Sequence, residues 1–329
     1  MRFRLLLVLL FLAAAPPLQA AQDASPKVQF IAVAEGVSLE VLEWGGSGPP
    51  LVFLPGLGAT AHAYESFAPK FTGQHRVYGI TRRGFGASSR PALSDENYDI
   101  ERLADDVLAV IDALKLERPV LAGHSMAGAE MSSIGTRHPE KVAGLIYLDA
   151  AYAYAFHHSE IGPPLGGVGL AVEIAAARRD LKALLRAAPR DMEDIAGRLP
   201  EVIQRLQAHA AFQLKHEPGG VSATSSQALT APQSLTETIR LNWRKFGAVK
   251  VPVLALVALP TPCTQACDDP VRRANDDMRH AQANAIEKLL PDARIVRIPG
   301  ADHYIFRSHE EISLREMNQF LERMRKGRA

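Results

Sequence analysis

Cysteine is nearly absent. Cys263 and Cys267 are the two thiols in 329 residues. Two thiols with no histidine beside them do not make a zinc site, and no metal is expected. Only three residues separate them, so a bridge between them staples a loop rather than holding a fold. An excess of charge of one sign is lacking too. Lys and Arg number 37 against 36 Asp and Glu, a formal net charge of +1, and no basic stripe stands out. A nucleic-acid partner therefore has no electrostatic footing. Internal repeats are missing as well. The chain is 47% hydrophobic and 22% charged, which suits a globular protein and argues against disorder.

A bilayer-spanning run is also missing. The apolar stretch at residues 5–15 is too short to cross a membrane. It follows Arg2 and Arg4 and precedes the small residues Ala20 and Ala21. That order predicts an export signal over residues 1–20, and a periplasmic or secreted mature protein with no stable membrane span. Losing Arg2 and Arg4 turns the net charge to −1. Export favours a disulfide between Cys263 and Cys267.

Strands and helices alternate along the rest. Residues 28–44 alternate as a hairpin with its turn near Glu35-Gly36. Short apolar runs at 50–54, 76–80, 120–122, 142–148, 251–259 and 295–298 read as buried strands. Helical spacing marks residues 100–114 and 310–325. This alternation predicts a mostly parallel α/β sheet flanked by helices. Residues 152–246 break the rhythm: 171–188 and 193–214 look helical, and no strong strand pattern appears. They read as a helical insertion between two sheet strands.

The most informative residue is Ser125, in Gly123-His124-Ser125-Met126-Ala127-Gly128. An apolar strand precedes it and a small-residue helix follows. A nucleophile elbow requires that order, because a sharp strand-to-helix turn lifts the serine hydroxyl above the sheet. Small neighbours let strand and helix pass closely. Gly123 meets that need, whereas Ala127 stands where the pattern has a glycine. A serine at the elbow points to acyl transfer. His157-His158 looks like a metal pair, but no third ligand lies near it in sequence. His62 and His124 are expected to line the pocket or pack near it.

Four motifs in order make the chain resemble the α/β-hydrolase family over roughly residues 28–320. They are Pro55-Gly56-Leu57-Gly58, Arg83-Gly84-Phe85-Gly86-Ala87-Ser88, the Ser125 elbow, and Gly300-Ala301-Asp302-His303. The resemblance implies a core over residues 28–151 and 247–325 and a helical cap over 152–246. It implies Ser125 as nucleophile, His303 as its general base, and the backbone N–H groups of Leu57 and Met126 as the oxyanion hole, with no cofactor. Dehalogenase and epoxide hydrolase members carry a carboxylate at the elbow, so a serine disfavours those reactions.

The acid of the triad is open. Relatives commonly place it just after the strand matching residues 251–259, but Leu259-Pro260-Thr261-Pro262-Cys263 holds no carboxylate. Asp268 and Asp269 come later in that loop. Asp149, at the end of Ile146-Tyr147-Leu148-Asp149, occupies the earlier strand end that some members use. Asp149 is the favoured position, with Asp269 or Asp268 as the alternative. The resemblance implies cleavage of a small ester. Amide, peptide or C–C bond hydrolysis on the same triad is the alternative, as is a low-turnover small-molecule receptor.

Overall fold

The computed structural model describes residues 25–151, 234–241, 249–259 and 270–327. Eight strands form one sheet: β1 (Lys27–Ala34), β2 (Val37–Gly45), β3 (Pro50–Leu54), β4 (Arg76–Ile80), β5 (Val120–His124), β6 (Gly144–Leu148), β7 (Val253–Leu259) and β8 (Arg294–Pro299). Their order is β1-β2-β4-β3-β5-β6-β7-β8. β1 and β2 are an antiparallel hairpin, β2 meets β4 antiparallel, and every later neighbour is parallel.

Among the described residues the α-helices are α1 (Asp95–Tyr98), α2 (Ile100–Ala113), α3 (Ala127–Arg137), α4 (Leu235–Leu241), α5 (Pro270–Leu289), α6 (Ile305–Ser308) and α7 (Glu310–Lys326). The Ser94 and Asp99 side chains accept the N–H groups of Asn97 and Glu101, which caps α1 and α2.

The central strands read as continuous apolar runs because both faces are covered. Side chains alternate across a pleat, so each strand feeds two cores. Val253, Ala255, Val257 and Leu259 of β7 join the core under α2 and α3. Leu254, Leu256 and Ala258 join the opposite core with Phe53, Phe306 and Phe320.

The strand order positions the site. From β3 the chain moves to β4 on one side and later to β5 on the other. The connections after β3 and β5 thus leave in opposite directions, opening a crevice at the carboxyl ends of these parallel strands. Pro55-Gly56-Leu57-Gly58 follows β3 and Ser125 follows β5. Of residues 152–246, only 234–241 are described. There Ile239 is buried with Met126, Tyr98, Ile100 and Leu103. The expected helices at 171–188 and 193–214, the pair His157-His158, and Cys263, Cys267, Asp268 and Asp269 lie outside the described residues.

Candidate active site

Ser125 sits between the last residue of β5 and the start of α3 with φ at +54°. A left-handed φ on a serine costs energy, and the surroundings enforce it by close packing. A Cβ on Gly123 would stand 2.9 Å from the Cβ of Ala127. The crossing therefore admits one methyl group, supplied by Ala127, and not two. A Cβ on Gly128 would stand 1.8 Å from the backbone oxygen of Ala150. Gly128 thus lets α3 sit against the chain leaving β6, bringing Asp149-Ala150 beside the elbow.

Asp149 also has a positive φ, +47°. Its N–H donates to the Leu256 carbonyl at 2.9 Å, and its Oδ1 accepts the Ala258 N–H at 3.1 Å. The backbone of β7 therefore fixes the carboxylate. Its other oxygen, Oδ2, faces His303 Nδ1 at 2.7 Å. A carboxylate only accepts, so Nδ1 donates this bond. Arg279 of α5 places Nη1 3.8 Å from the same Oδ2 and donates to the Ala258 carbonyl at 3.2 Å.

His303 stands in the turn between β8 and α6. Gly300 opens that turn with φ at +76°, a conformation suited to glycine, and its N–H bonds the Leu259 carbonyl at 2.9 Å. His124, the residue before Ser125, ties this turn to the elbow. Its Nε2 donates to the His303 carbonyl at 2.8 Å, and the two rings lie 4.4 Å apart. Burial, with the neighbouring His303 ring adding to it, pushes the His124 imidazole down to about 4. It is neutral at ordinary pH.

The loop after β3 closes the site from the other side. A Cβ on Gly56 would meet His124 Nδ1 at 2.8 Å and Ser125 Cβ at 3.2 Å. Only a glycine lets this loop come so near the elbow. Among the described residues no acceptor takes the N–H of Leu57 or of Met126. An N–H on the residue after the serine and one on the loop beside it are donors of the kind that receive a developing oxyanion.

His62 is held by carboxylates of its own. Its ring lies between two carboxylates, with Nδ1 at Glu65 and Nε2 3.3 Å from Glu40. The hydrogen bond to Glu65 holds the ring above the usual imidazole range, against the opposing effect of burial.

Sequence reasoning assigned no role to Arg82 and Glu130. They form a buried ion pair, with Arg82 Nη2 2.9 Å from Glu130 Oε2 and Nε bonded to Oε1. The available signal was a charged residue one turn past the elbow, in a helix whose first residues are Ala127, Gly128 and Ala129.

With this geometry in hand, known proteins can be compared. A model of the alpha/beta hydrolase family matches residues 51–313. The chain belongs to this family. A relative, 2-(acetamidomethylene)succinate hydrolase of Mesorhizobium japonicum, is 24% identical over 297 residues, covering 87% of this chain and 92% of the relative. A 2-hydroxymuconate semialdehyde hydrolase of a Pseudomonas species is 31% identical over 130 residues, 39% of this chain and 45% of the relative. The epoxide hydrolase of Bacillus megaterium superposes with a TM-score of 0.57 at 17% identity, covering 89% of this chain and all of that one, a likeness of fold. These three proteins are hydrolases of different kinds, and by family this protein is a hydrolase.

Proposed function

We propose that the protein is an exported serine hydrolase that cleaves a small ester through an acyl-enzyme intermediate. One observation carries the reading. The Asp149–His303 pair at 2.7 Å stands at the same sheet edge as the left-handed Ser125. In this reading Ser125 Oγ attacks the ester carbonyl carbon and its proton passes to His303 Nε2. The carbonyl electron pair moves onto oxygen, between the N–H groups of Leu57 and Met126. Each such donor contributes about 3 kcal/mol to the transition state. Collapse breaks the ester C–O bond, and the alcohol leaves with the proton from His303. Water then repeats the sequence and frees the acid. Asp149 stays ionised, holds the imidazole tautomer and stabilises the imidazolium. A serine elbow favours this chemistry over the epoxide or dehalogenase reactions of other family members, which begin with a carboxylate.

A second reading rests on the Mesorhizobium relative, whose named substrate carries an acetamido group. The same residues serve amide cleavage, with the proton from His303 going to nitrogen. The segment at residues 152–246 is read as the cap that selects the substrate, and residues 1–20 as the export signal.

Labelling with a fluorophosphonate, followed by peptide mass spectrometry, tests the nucleophile. The adduct is expected on Ser125. A panel of p-nitrophenyl esters beside matched anilides then separates ester from amide cleavage. No adduct on Ser125 sinks the serine reading. An initial burst of product with no steady turnover favours a receptor of this fold.

A further inference from the structure

Arg82 is a cation held at 5% exposure, and its partner Glu130 is at 2%. Burying two charges is costly unless every donor and acceptor is used. Arg82 uses its donors in an informative way. Nε and Nη2 grip the Glu130 carboxylate, which α3 carries one turn beyond Ser125. Nη2 also donates to the Pro55 carbonyl at 2.9 Å, and Nη1 to the Gly56 carbonyl at 3.3 Å. One planar group thus joins the helix of the elbow to the loop after β3. The cavity beside the pair, about 10 Å³ and lined by Leu54, Pro55, Leu103 and Asp106, has room for a single water at most. Among the described residues the Arg82 guanidinium is thus spent on protein groups.

The Gly56 carbonyl and the Leu57 N–H belong to one peptide unit. No peptide bond among the described residues is cis. In a trans peptide the C=O and N–H point in opposite directions from one rigid plane. Gripping the Gly56 oxygen from the Glu130 side consequently aims the Leu57 N–H the other way. A cation on the carbonyl oxygen also polarises the unit and strengthens its N–H as a donor.

We infer that Arg82, locked by Glu130, is a positioning residue that aims and polarises the Leu57 N–H of the oxyanion hole. The inference rests on the serine hydrolase reading above. It makes Arg82 act through Leu57 and not on the substrate. Lysine does not replace arginine here, because one ammonium cannot span two carbonyls and both carboxylate oxygens in a plane.

The test uses two variants, Arg82→Lys and the apolar pair Arg82→Met with Glu130→Met, which leaves no unpaired charge. Each is assayed with p-nitrophenyl acetate and for its rate of fluorophosphonate inactivation. The amide proton shifts of Leu57 and Met126 are recorded in parallel. In a folded variant kcat should fall about 10- to 100-fold, less than outright loss of an oxyanion donor. KM should stay within about twofold, since the lost interaction belongs to the transition state. Inactivation should slow in step with kcat, and the Leu57 amide shift should move while that of Met126 holds. Unchanged kcat, a loss carried by KM alone, or amide shifts that move together would overturn the assignment. So would failure of both variants to fold, which makes the pair a purely structural one. If the fluorophosphonate does not label Ser125 in the unmutated protein, the serine reading fails instead, which separates the two outcomes.

Discussion

Four non-glycine residues hold a positive φ among the described residues, and they fall into two pairs. Lys115 (+51°) and Arg118 (+45°) lie in the exposed turn between α2 and β5. Ser125 (+54°) and Asp149 (+47°) end the neighbouring parallel strands β5 and β6. The backbone cost is the same in kind, about 1 kcal/mol for each L-residue. What enforces it differs. Lys115 follows a helix end, where its N–H reaches the Asp112 carbonyl at 3.1 Å and the Leu116 N–H reaches Ile111 at 2.9 Å. That is a helix-stop pattern in which glycine is the usual occupant. At Ser125 and Asp149 no such stop is being made. The strain is imposed by the tight crossing at Gly123 and Gly128 and by the bonds from β7. The lesson is that strain at a helix stop, where glycine is the usual occupant, is incidental, whereas strain at two adjacent strand ends brings Ser125 and Asp149 to one sheet edge.

The sharpest way to break this contrast is Ser125→Ala. Alanine removes the hydroxyl and keeps the Cβ, so melting should shift little. Turnover of the best p-nitrophenyl ester should fall by about 10⁴-fold or more, since triad members act as a unit. Retained turnover would put the nucleophile elsewhere.

Asp149→Asn comes next. The amide can still accept the Ala258 N–H through its oxygen, but it no longer orients the imidazole as an anion does. We expect kcat to drop by about 10³- to 10⁴-fold. Asp269→Asn should change it by less than about twofold. The opposite ranking would move the acid to the loop after β7.

His124 makes the strained edge acid-sensitive. Its folded value of about 4 lies below the ordinary 6.5, so the unfolded chain binds the extra proton between those values. Stability from this group is therefore complete above about pH 6.5 and is lost as pH falls toward 4. Between pH 7 and 5 the loss is about 2 kcal/mol. Urea midpoints at the two pH values for wild type and His124→Gln measure it. The variant should be the less acid-sensitive protein, and parallel slopes would count against the assignment.

The smallest effect sharpens the contrast from the other side. Lys115→Gly should stabilise by about 0.5 kcal/mol, the relief of strain less the added freedom of the unfolded chain. Hydrolytic activity should not change. A matching gain in activity would mean that strain at the turn also serves the site.

Much of this fold was legible before any coordinates. The hairpin turn at Glu35-Gly36 and the strands at 50–54 and 76–80 read directly, because strands covered on both faces are unbroken apolar runs between turn residues. The α5 helix did not read. Its first half, Pro270-Val271-Arg272-Arg273-Ala274-Asn275-Asp276-Asp277, carries four charged side chains and little helical apolar spacing, whereas the apolar positions Ala283, Ala285 and Ile286, which are buried, come later. At the candidate site, Ser125 and His303 stood out because each follows a strand within a recognisable local pattern. Asp149 was favoured over Asp269 as the carboxylate at a strand end, but position alone left both open, since what decides is which carboxylate the folded sheet edge holds against His303. Arg82 and Glu130 were invisible as a pair. They are 48 residues apart and meet only because β4 and α3 flank the same loop.

The central claim is that Ser125 forms the acyl bond with His303 and Asp149 driving it. Rapid mixing with p-nitrophenyl acetate, acid quenching on the timescale of one turnover and peptide mass spectrometry test it most directly. The account predicts an acetyl group on Ser125 that appears and decays at rates consistent with turnover, and that forms far more slowly in Asp149→Asn. Steady turnover with no acetyl on Ser125, or with acetyl on another residue, would contradict it.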